Sequence, residues 1–490
     1  MILVAVVAAT AYSAARGGTL AEVTQPASAA ICDNVTQHSG YFKLTTGRKH
    51  YFYWFFESRS APKTDPLVLW MTGGPGCSSE VALFGENGPC SVSAAGTGTI
   101  RNKYSWNTRA NLVYIDQPAG TGFSYGSGLD HDEAGVARDM YDFLQQLLQA
   151  HPSLQPLDFY VVGESYAGHY VPAVTHEVWA NNKALPSGAI QINLKGRVDP
   201  RLADIRSGST SRVTRDERHI ISRARPWPTG YRRDGTSVGN GLVAPEIQYQ
   251  YYKDMVVSTN GHKPAVGNLT HAAMQAATPA CIAAIKACQA VAASCLVAIE
   301  VCNAALLLPY QASGMNVYDM REPCEKPPLC YDFSNVATYL DRAEVRAALG
   351  VGQRKWSDCN HVVALGFELS GDWMQSYEKK LPDQLGDGVR VLIYAGDQDY
   401  ICNWLGNQAW AQATSRRRTA PTLRPPARCR GWRAASKRAR SSRRTASPFC
   451  VCTTPATWSL ATSQPTRSRC SMPSSTARCE GQTHRRGGSA

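Results

Sequence analysis

The chain has 490 residues, is 43% hydrophobic and carries a formal net charge of +13, which suits a large globular core in one big domain or two. The basicity is local: residues 414–490 hold 17 Lys+Arg against one acid and residues 197–235 ten Arg against five acids, leaving the rest mildly acidic. This excludes an electrostatic case for nucleic acid over the main body, and no uninterrupted apolar run approaches about 18 residues, which argues against a transmembrane helix.

Residues 1–25 form a signal-like segment, with the apolar run MILVAVVAA followed by small residues at Ser13-Ala14-Ala15. Residues 38–60 read as a meander. Gly40-Tyr41-Phe42-Lys43-Leu44 and the run from His50 to Glu57 are aromatic-rich strands around a Thr45-Thr46-Gly47-Arg48 turn. Leu67-Val68-Leu69-Trp70-Met71 is wholly apolar, as a central parallel strand is. It runs into Thr72-Gly73-Gly74-Pro75-Gly76-Cys77-Ser78-Ser79, a loop placed where backbone N–H groups can face a ligand. Lacking a Gly-Lys-Ser/Thr end, it is not a phosphate-binding loop. Asn111-Leu112-Val113-Tyr114-Ile115-Asp116 is a second buried-type strand, and residues 134–150 have helical periodicity that stops at His151-Pro152.

Phe159-Tyr160-Val161-Val162 then leads into Gly163-Glu164-Ser165-Tyr166-Ala167-Gly168, and the residues from His169 on open a helix. Strand, then G-E-S-Y-A-G with Ala167 where the G-x-S-x-G pattern has its second Gly, then helix, is the context of a nucleophile elbow. The turn is so tight that a side chain on either Gly would clash, and the Ser hydroxyl is pushed out over the sheet edge. His169, beside it, reads as structural.

Gln191-Ile192-Asn193-Leu194-Lys195-Gly196 begins a strand that does not finish, and residues 197–235 have no apolar period. Joined across that gap, INLKG and TSVGNGLV make a complete strand and turn. Residues 197–235 are therefore expected to be foreign to the fold, as a retained intron is. The alternation of strands and helices predicts an α/β sheet.

Cys281, Cys288, Cys295 and Cys302 are each seven apart in an Ala-rich helical stretch. A turn between Cys288 and Cys295 makes a hairpin stapled by nested bridges, 288–295 inside 281–302. A zinc cluster is the alternative, but thiols without Cys-x-x-Cys in a secreted chain favour disulfides, and no metal is expected. Cys324 and Cys330 bracket a loop that a bridge can close, and Asn34 and Asn268 sit in Asn-x-Thr sequons that agree with secretion. The late strand Val389-Arg390-Val391-Leu392-Ile393-Tyr394-Ala395 delivers Gly396-Asp397-Gln398-Asp399. An acid here fits the chain order Ser, Asp, His of α/β-hydrolases, and both Asp397 and Asp399 are candidates.

WMTGGPGCSS, YSWN, DQPAGTGFSY, GESYAGHYVP, GNGL and IYAGDQDYICNWLGN together resemble the serine carboxypeptidases, the carboxypeptidase Y and cathepsin A family, over about residues 32–413. The resemblance implies an α/β-hydrolase fold: a central mostly parallel sheet with an inserted helical cap. Core segments at residues 32–242 and 386–413 would flank a cap and return at 243–385. It implies Ser165 as nucleophile, Asp399 as the acid that orients the base, and the N–H groups of Gly74 and Tyr166 as oxyanion hole. Thr72, Gly73, Glu86 and Glu164 would receive the substrate α-carboxylate. Thr72 stands where the family has Asn and is shorter, although it keeps a hydroxyl. Two carboxyls beside a third work only if protons are shared, since like charges raise a carboxyl pKa, so activity at acidic pH is expected. That fits the secretory pathway, with a lysosomal, vacuolar or extracellular destination. The nested hairpin bridges and the 324–330 bridge match the family's pattern. The resemblance further implies a Cys77–Cys359 bridge and a free thiol at Cys402, leaving Cys32 and Cys90 as a remaining pair. Peptide or protein C-termini are the implied substrate, no cofactor is implied, and a homodimer is compatible.

The family's base is a His in a GHMVP-like motif after Asp399. The only His after Asp399 is His484, in Gln482-Thr483-His484-Arg485, which does not resemble it. Residues 450–465 read CVCTTPATWSLATSQP. Taken from the third base of each codon, they permit V-Y-D-A-G-H-M-V-P-R-D-Q-P, with the unique Trp458 codon supplying the Met. A frame shift soon after Ala413 is therefore expected, with residues 414–490 a basic low-order tail and this chain nearly inactive. The alternatives are a serine carboxypeptidase-like acyltransferase and a non-catalytic secreted glycoprotein that binds a partner.

Overall fold

The computed structural model describes residues 21–26, 31–194, 235–257, 263–327, 330–417 and 449–454. Most of the signal-like segment, nearly all of residues 197–235, most of the tail and His484 lie outside the described residues. The chain divides into two units, and the larger, Met1–Arg197 with Asp234–Leu460, holds every described residue.

In chain order the described strands are β1 (Ala21–Gln25), β2 (Gln37–Lys43), β3 (Arg48–Phe56), β4 (Leu67–Met71), β5 (Cys90–Val92), β6 (Thr99–Arg101), β7 (Asn111–Ile115), β8 (Tyr125–Ser127), β9 (Phe159–Ser165), β10 (Thr236–Gly241), β11 (Val391–Gly396) and β12 (Phe449–Thr454). Ten of them form one sheet in the order β1-β2-β3-β7-β4-β9-β10-β11-β12, with β8 paired to β3. Pairing is parallel from β7 through β12 and antiparallel from β1 to β7. This is the expected α/β-hydrolase architecture with a mostly parallel centre.

The period-2 alternation of strand side chains divides the core in two. In β3, Tyr51, Tyr53 and Phe55 enter one apolar cluster, while Phe52, Trp54 and Phe56 enter the other. β4 and β7 are buried at every position, which is why both read as uninterrupted apolar runs. Each fully buried large apolar side chain contributes on the order of 1.5–3 kcal/mol.

Helices cover both faces. On one side lie α1 (Glu80–Gly85) and two short helices from beyond β10; on the other lie α2 (Glu133–Ala150) and α3 (Ala167–Ala184). α2 buries Val136, Met140, Phe143, Leu144 and Leu147, the stripe of a 3.6-residue period. Asp132 caps its first turn, accepting from the Gly135 N–H at 2.7 Å. Its other end stops at His151, since the residue before a proline is steered away from helical backbone.

Between β10 and β11 the described residues form helices and no strand. α4 (Asn268–Ala290) and α5 (Cys295–Cys302) are an antiparallel hairpin joined by Cys281–Cys302 and Cys288–Cys295. The stretch Ala292–Gln311 is long and apolar enough, by length and composition alone, to cross a membrane; here it is half of this bridged hairpin. Cys32–Cys90, Cys77–Cys359 and Cys324–Cys330 are also bonded, and Cys402 is a buried free thiol. Asn34 and Asn268 are both exposed.

Three regions differ from the sequence reading. Residues 21–25, assigned to the signal-like segment, form β1 and pair antiparallel with β2, so the sheet begins inside that segment. Residues 449–454, assigned to a low-order tail, form β12, parallel to β11 in register Val391↔Phe449 through Gly396↔Thr454. The run FCVCTT is apolar and β-branched, and it pairs with the free side of β11. Residues 191–194 do not extend β10; they make a single bridge, Leu194↔Phe159. Thr236 then pairs with Val161, so the two flanks of the undescribed segment lie side by side along β9.

Candidate active site

Ser165 is the last residue of β9 and has φ of +61°. A non-glycine residue in this left-handed region costs roughly 1–3 kcal/mol and persists only where its surroundings impose it. The surroundings do so here. A Cβ on Gly163 would lie 2.6 Å from the Met71 carbonyl oxygen and 2.7 Å from Ala167 Cβ, and one on Gly168 would strike Leu242. The Leu242 N–H donates to the Ser165 carbonyl at 3.0 Å. β4, α3 and the end of β10 thus leave room only for glycine on either side of the serine. α3 begins at Ala167, so the Tyr166 N–H lies at a helix N-terminus, where unpaired N–H groups face outward.

The Gly-rich loop after β4 packs against this turn. A Cβ on Gly73 would sit 2.7 Å from the Glu164 carbonyl oxygen and 3.0 Å from Ser165 Cβ. The loop is held by Cys77–Cys359, by the Cys77 N–H donating to the Gly73 carbonyl at 3.2 Å, and by the Thr72 N–H donating to Ser79 Oγ at 3.1 Å. Thr72 Oγ1 accepts from Trp70 Nε1 at 3.1 Å. Beneath the loop, the buried carboxyls of Glu80 and Asp116 are both pushed above the usual range by burial.

These pieces enclose a cavity of about 310 Å³. Thr72, Gly73, Gly74, Glu86, Glu164, Ser165, Asp399 and Cys402 all face it, so the structure brings these sequence-predicted residues together; Tyr166 adjoins Ser165 in the chain but its side chain is turned into the core. Glu86 and Glu164 are half-buried with their carboxyls hydrogen-bonded to each other. Burial pushes Glu86 up to about 7 and Glu164 well above its ordinary value, the latter also through the Glu86 charge. Asp397 does not line the cavity.

Asp399 accepts from Asn240 Nδ2 at 2.7 Å and from the Cys402 N–H at 3.0 Å. Burial nevertheless pushes it up to about 7, because these neutral donors do not replace the hydration that its charge loses. Cys402, buried beside Asp399, has its thiol pushed well up and is hydrogen-bonded to Ser165. Among the described residues, no histidine hydrogen-bonds to Ser165 or Asp399. His361 does line the cavity, at the exposed first turn of α6 (His361–Ser370).

Two features escaped the sequence reading. Asn240 has φ of +38° and holds Asp399 with its amide nitrogen while its oxygen accepts from the Gly396 N–H at 3.2 Å. The signal was an Asn between two glycines at a strand end, since Asn tolerates left-handed backbone. The aromatic wall of Tyr318, Tyr331 and Phe333 comes from irregular chain with no period to reveal it.

A family model described as serine carboxypeptidase matches residues 26–198 and 232–434. Carboxypeptidase Y homolog A of Talaromyces stipitatus is 38% identical over 395 residues, covering 80% of this chain and 63% of that protein. Serine carboxypeptidase-like 48 of Arabidopsis thaliana is 40% identical over 381 residues, 76% of this chain and 65% of that protein. The chain thus spans a little under two-thirds of these relatives. A crystal structure of Kex1(Δ)p, a prohormone-processing carboxypeptidase from Saccharomyces cerevisiae, aligns with a TM-score of 0.61 at 21% identity, covering 81% of this chain and 79% of that one.

Proposed function

Because the chain belongs to the serine carboxypeptidase family, we propose that its site is built to release C-terminal amino acids from peptides through an acyl-enzyme. Ser165 Oγ attacks the carbonyl carbon of the last peptide bond, the C-terminal amino acid leaves, and water hydrolyses the ester. The N–H groups of Gly74 and Tyr166 face the oxyanion, each worth roughly 3–4 kcal/mol of transition-state stabilisation. Thr72, Gly73, Glu86 and Glu164 take the free α-carboxylate. A protonated carboxyl donates to that anion, whereas an ionised one repels it.

The observation that carries this reading is the hydrogen-bonded Glu86–Glu164 pair opening into the same cavity as Ser165. Matched peptides with free and amidated C-termini test it, using protein whose tail is rewritten to supply the histidine. Cleavage of the free peptide alone is expected at pH 5; equal cleavage of both would refute a carboxylate receptor, and transfer to an alcohol in preference to water would point to an acyltransferase.

In this chain no histidine reaches Ser165 among the described residues, and loss of a triad base costs about 10⁴- to 10⁶-fold in rate. We therefore read the chain itself as nearly inactive. The same absence favours, as a second reading, a secreted glycoprotein that binds a partner without catalysis. Five disulfides and two exposed sequons support a secretory route, with a lysosomal, vacuolar or extracellular end.

A further inference from the structure

Away from the cavity, Glu22, His38 and His151 converge at the antiparallel edge of the sheet. Glu22 Oε2 lies 2.8 Å from His151 Nε2, and Glu22 Oε1 lies 3.4 Å from His38 Nδ1. One donor atom from each side chain falls within 4.8 Å of the other two. The three residues come from separate elements: β1, β2 and the residue that ends α2. Glu22 and His151 are 129 positions apart in the chain, so no spacing pattern announces the cluster.

Strand register explains the meeting. Glu22 pairs with Gly40, which has no side chain, while His38 pairs with Thr24. The Glu22 carboxylate can therefore lean diagonally onto His38, a reach that cross-strand neighbours allow. The imidazoles are positioned by packing as well as by the carboxylate. His38 stacks on Phe55 with centroids 5.5 Å apart, and His151 meets His38 edge-on at 4.8 Å. Tyr53 donates its hydroxyl proton to Glu22. The side chains of His38, Glu22 and His151 are 16%, 16% and 11% exposed, open enough to admit an ion and closed enough to strip most of its water.

We propose that Glu22, His38 and His151 form a peripheral site for a divalent transition metal of the Zn²⁺ type. Two imidazole nitrogens and one carboxylate oxygen suit Zn²⁺, Ni²⁺ or Cu²⁺, whereas Ca²⁺ and Mg²⁺ take oxygen ligands. With Zn–N of about 2.0–2.1 Å, tetrahedral ligand atoms stand about 3.4 Å apart, so the present spacing closes by side-chain rotation of about 1 Å. A fourth position is left for water or for the Thr24 hydroxyl, which lies 3.1 Å from His38 Nδ1. The Tyr53 hydroxyl orients the carboxylate from outside the ligand set, as outer partners of metal sites do. A bound ion would tie the edge strand β1 to β2 and to the end of α2, and so stabilise the fold by mass action.

The full chain, stripped with a chelator, is titrated with Zn²⁺ by calorimetry and melted with and without the ion. A saturable equivalent that raises Tm is expected, with no response to Mg²⁺ or Ca²⁺. His38→Gln and His151→Gln should each weaken that uptake at least about tenfold while keeping the metal-free Tm close to that of the parent. Absent uptake, or uptake unchanged in the double variant, overturns the proposal. Should the variants fail to fold, the Co²⁺ spectrum of the parent decides. Nitrogen and oxygen ligation supports the site, and a thiolate charge-transfer band, which the tail cysteines would produce, overturns it.

Discussion

Glu86 and Glu164 share a hydrogen bond between carboxyl groups inside the cavity that Ser165 faces. Burial pushes Glu86 up to about 7 and Glu164 well above its ordinary value, so Glu86 is protonated in acid and ionises as pH rises through about 7. Once ionised, the Glu86 carboxylate would repel the carboxylate of the proposed substrate. In protein carrying the missing histidine, kcat/KM for free-C-terminus peptides should fall above about pH 7, mainly through KM. Glu86→Gln should flatten that limb. A rate that keeps rising to pH 9 would sink this account.

Stability should follow the same sign. Glu86 and Asp399 are pushed up to about 7, and Asp130 and Asp372 to about 6, each chiefly by burial. Unfolded carboxyls titrate near 4, so the folded state holds these protons more tightly. The stabilisation is complete below about pH 4 and is lost as pH rises through 6–7. Glu22 and Asp33, held below the usual range by His151 and Arg59, stay ionised from pH 5 to 8 and do not change the slope there. Tm should fall by about 5 °C or more between pH 5 and pH 8. A Tm that climbs over that interval would count against the buried acids.

The flanks of residues 197–234 invite a deletion. Leu194 bridges to Phe159, Thr236 pairs with Val161, and the Val161 N–H donates to the Gly235 carbonyl at 3.3 Å. A direct join therefore has almost no distance to cross. The deleted protein should fold with an unchanged or higher Tm, because a shorter connection costs less closure entropy. Loss of the cooperative melt would show that the segment is needed.

The histidine can also be restored by rewriting the tail. β12 ends at Thr454, paired with Gly396, three residues before Asp399. Replacing the sequence from Val451 on by V-Y-D-A-G-H-M-V-P places a histidine just past that strand end. Labelling of Ser165 by a fluorophosphonate should accelerate about 10⁴-fold or more over this chain, and Asp399 should titrate lower beside an imidazolium. Equal labelling rates before and after would refute both the assignment of the base and the frame reading.

Much of the fold was legible because its causes are local. β4 and β7 are buried on both faces, so each appears as an unbroken apolar run. The G-E-S-Y-A-G turn is legible because sterics demand glycine at Gly163 and Gly168, and the structure shows what a Cβ there would strike. β12 was not legible: its six residues look unremarkable until β11 presents an open edge to pair with.

By itself the sequence determined the strand and helix order, the elbow at Ser165 and the family, through short-range periodicity and glycine sterics. Only the tertiary structure decided that Asn240 holds Asp399 and that Glu22 gathers two histidines. Those meetings depend on strand register and layer packing, which bring together residues as many as 159 positions apart, as with Asn240 and Asp399. No local pattern encodes such a distance, since hydrogen bonds and burial are set by which elements pack together.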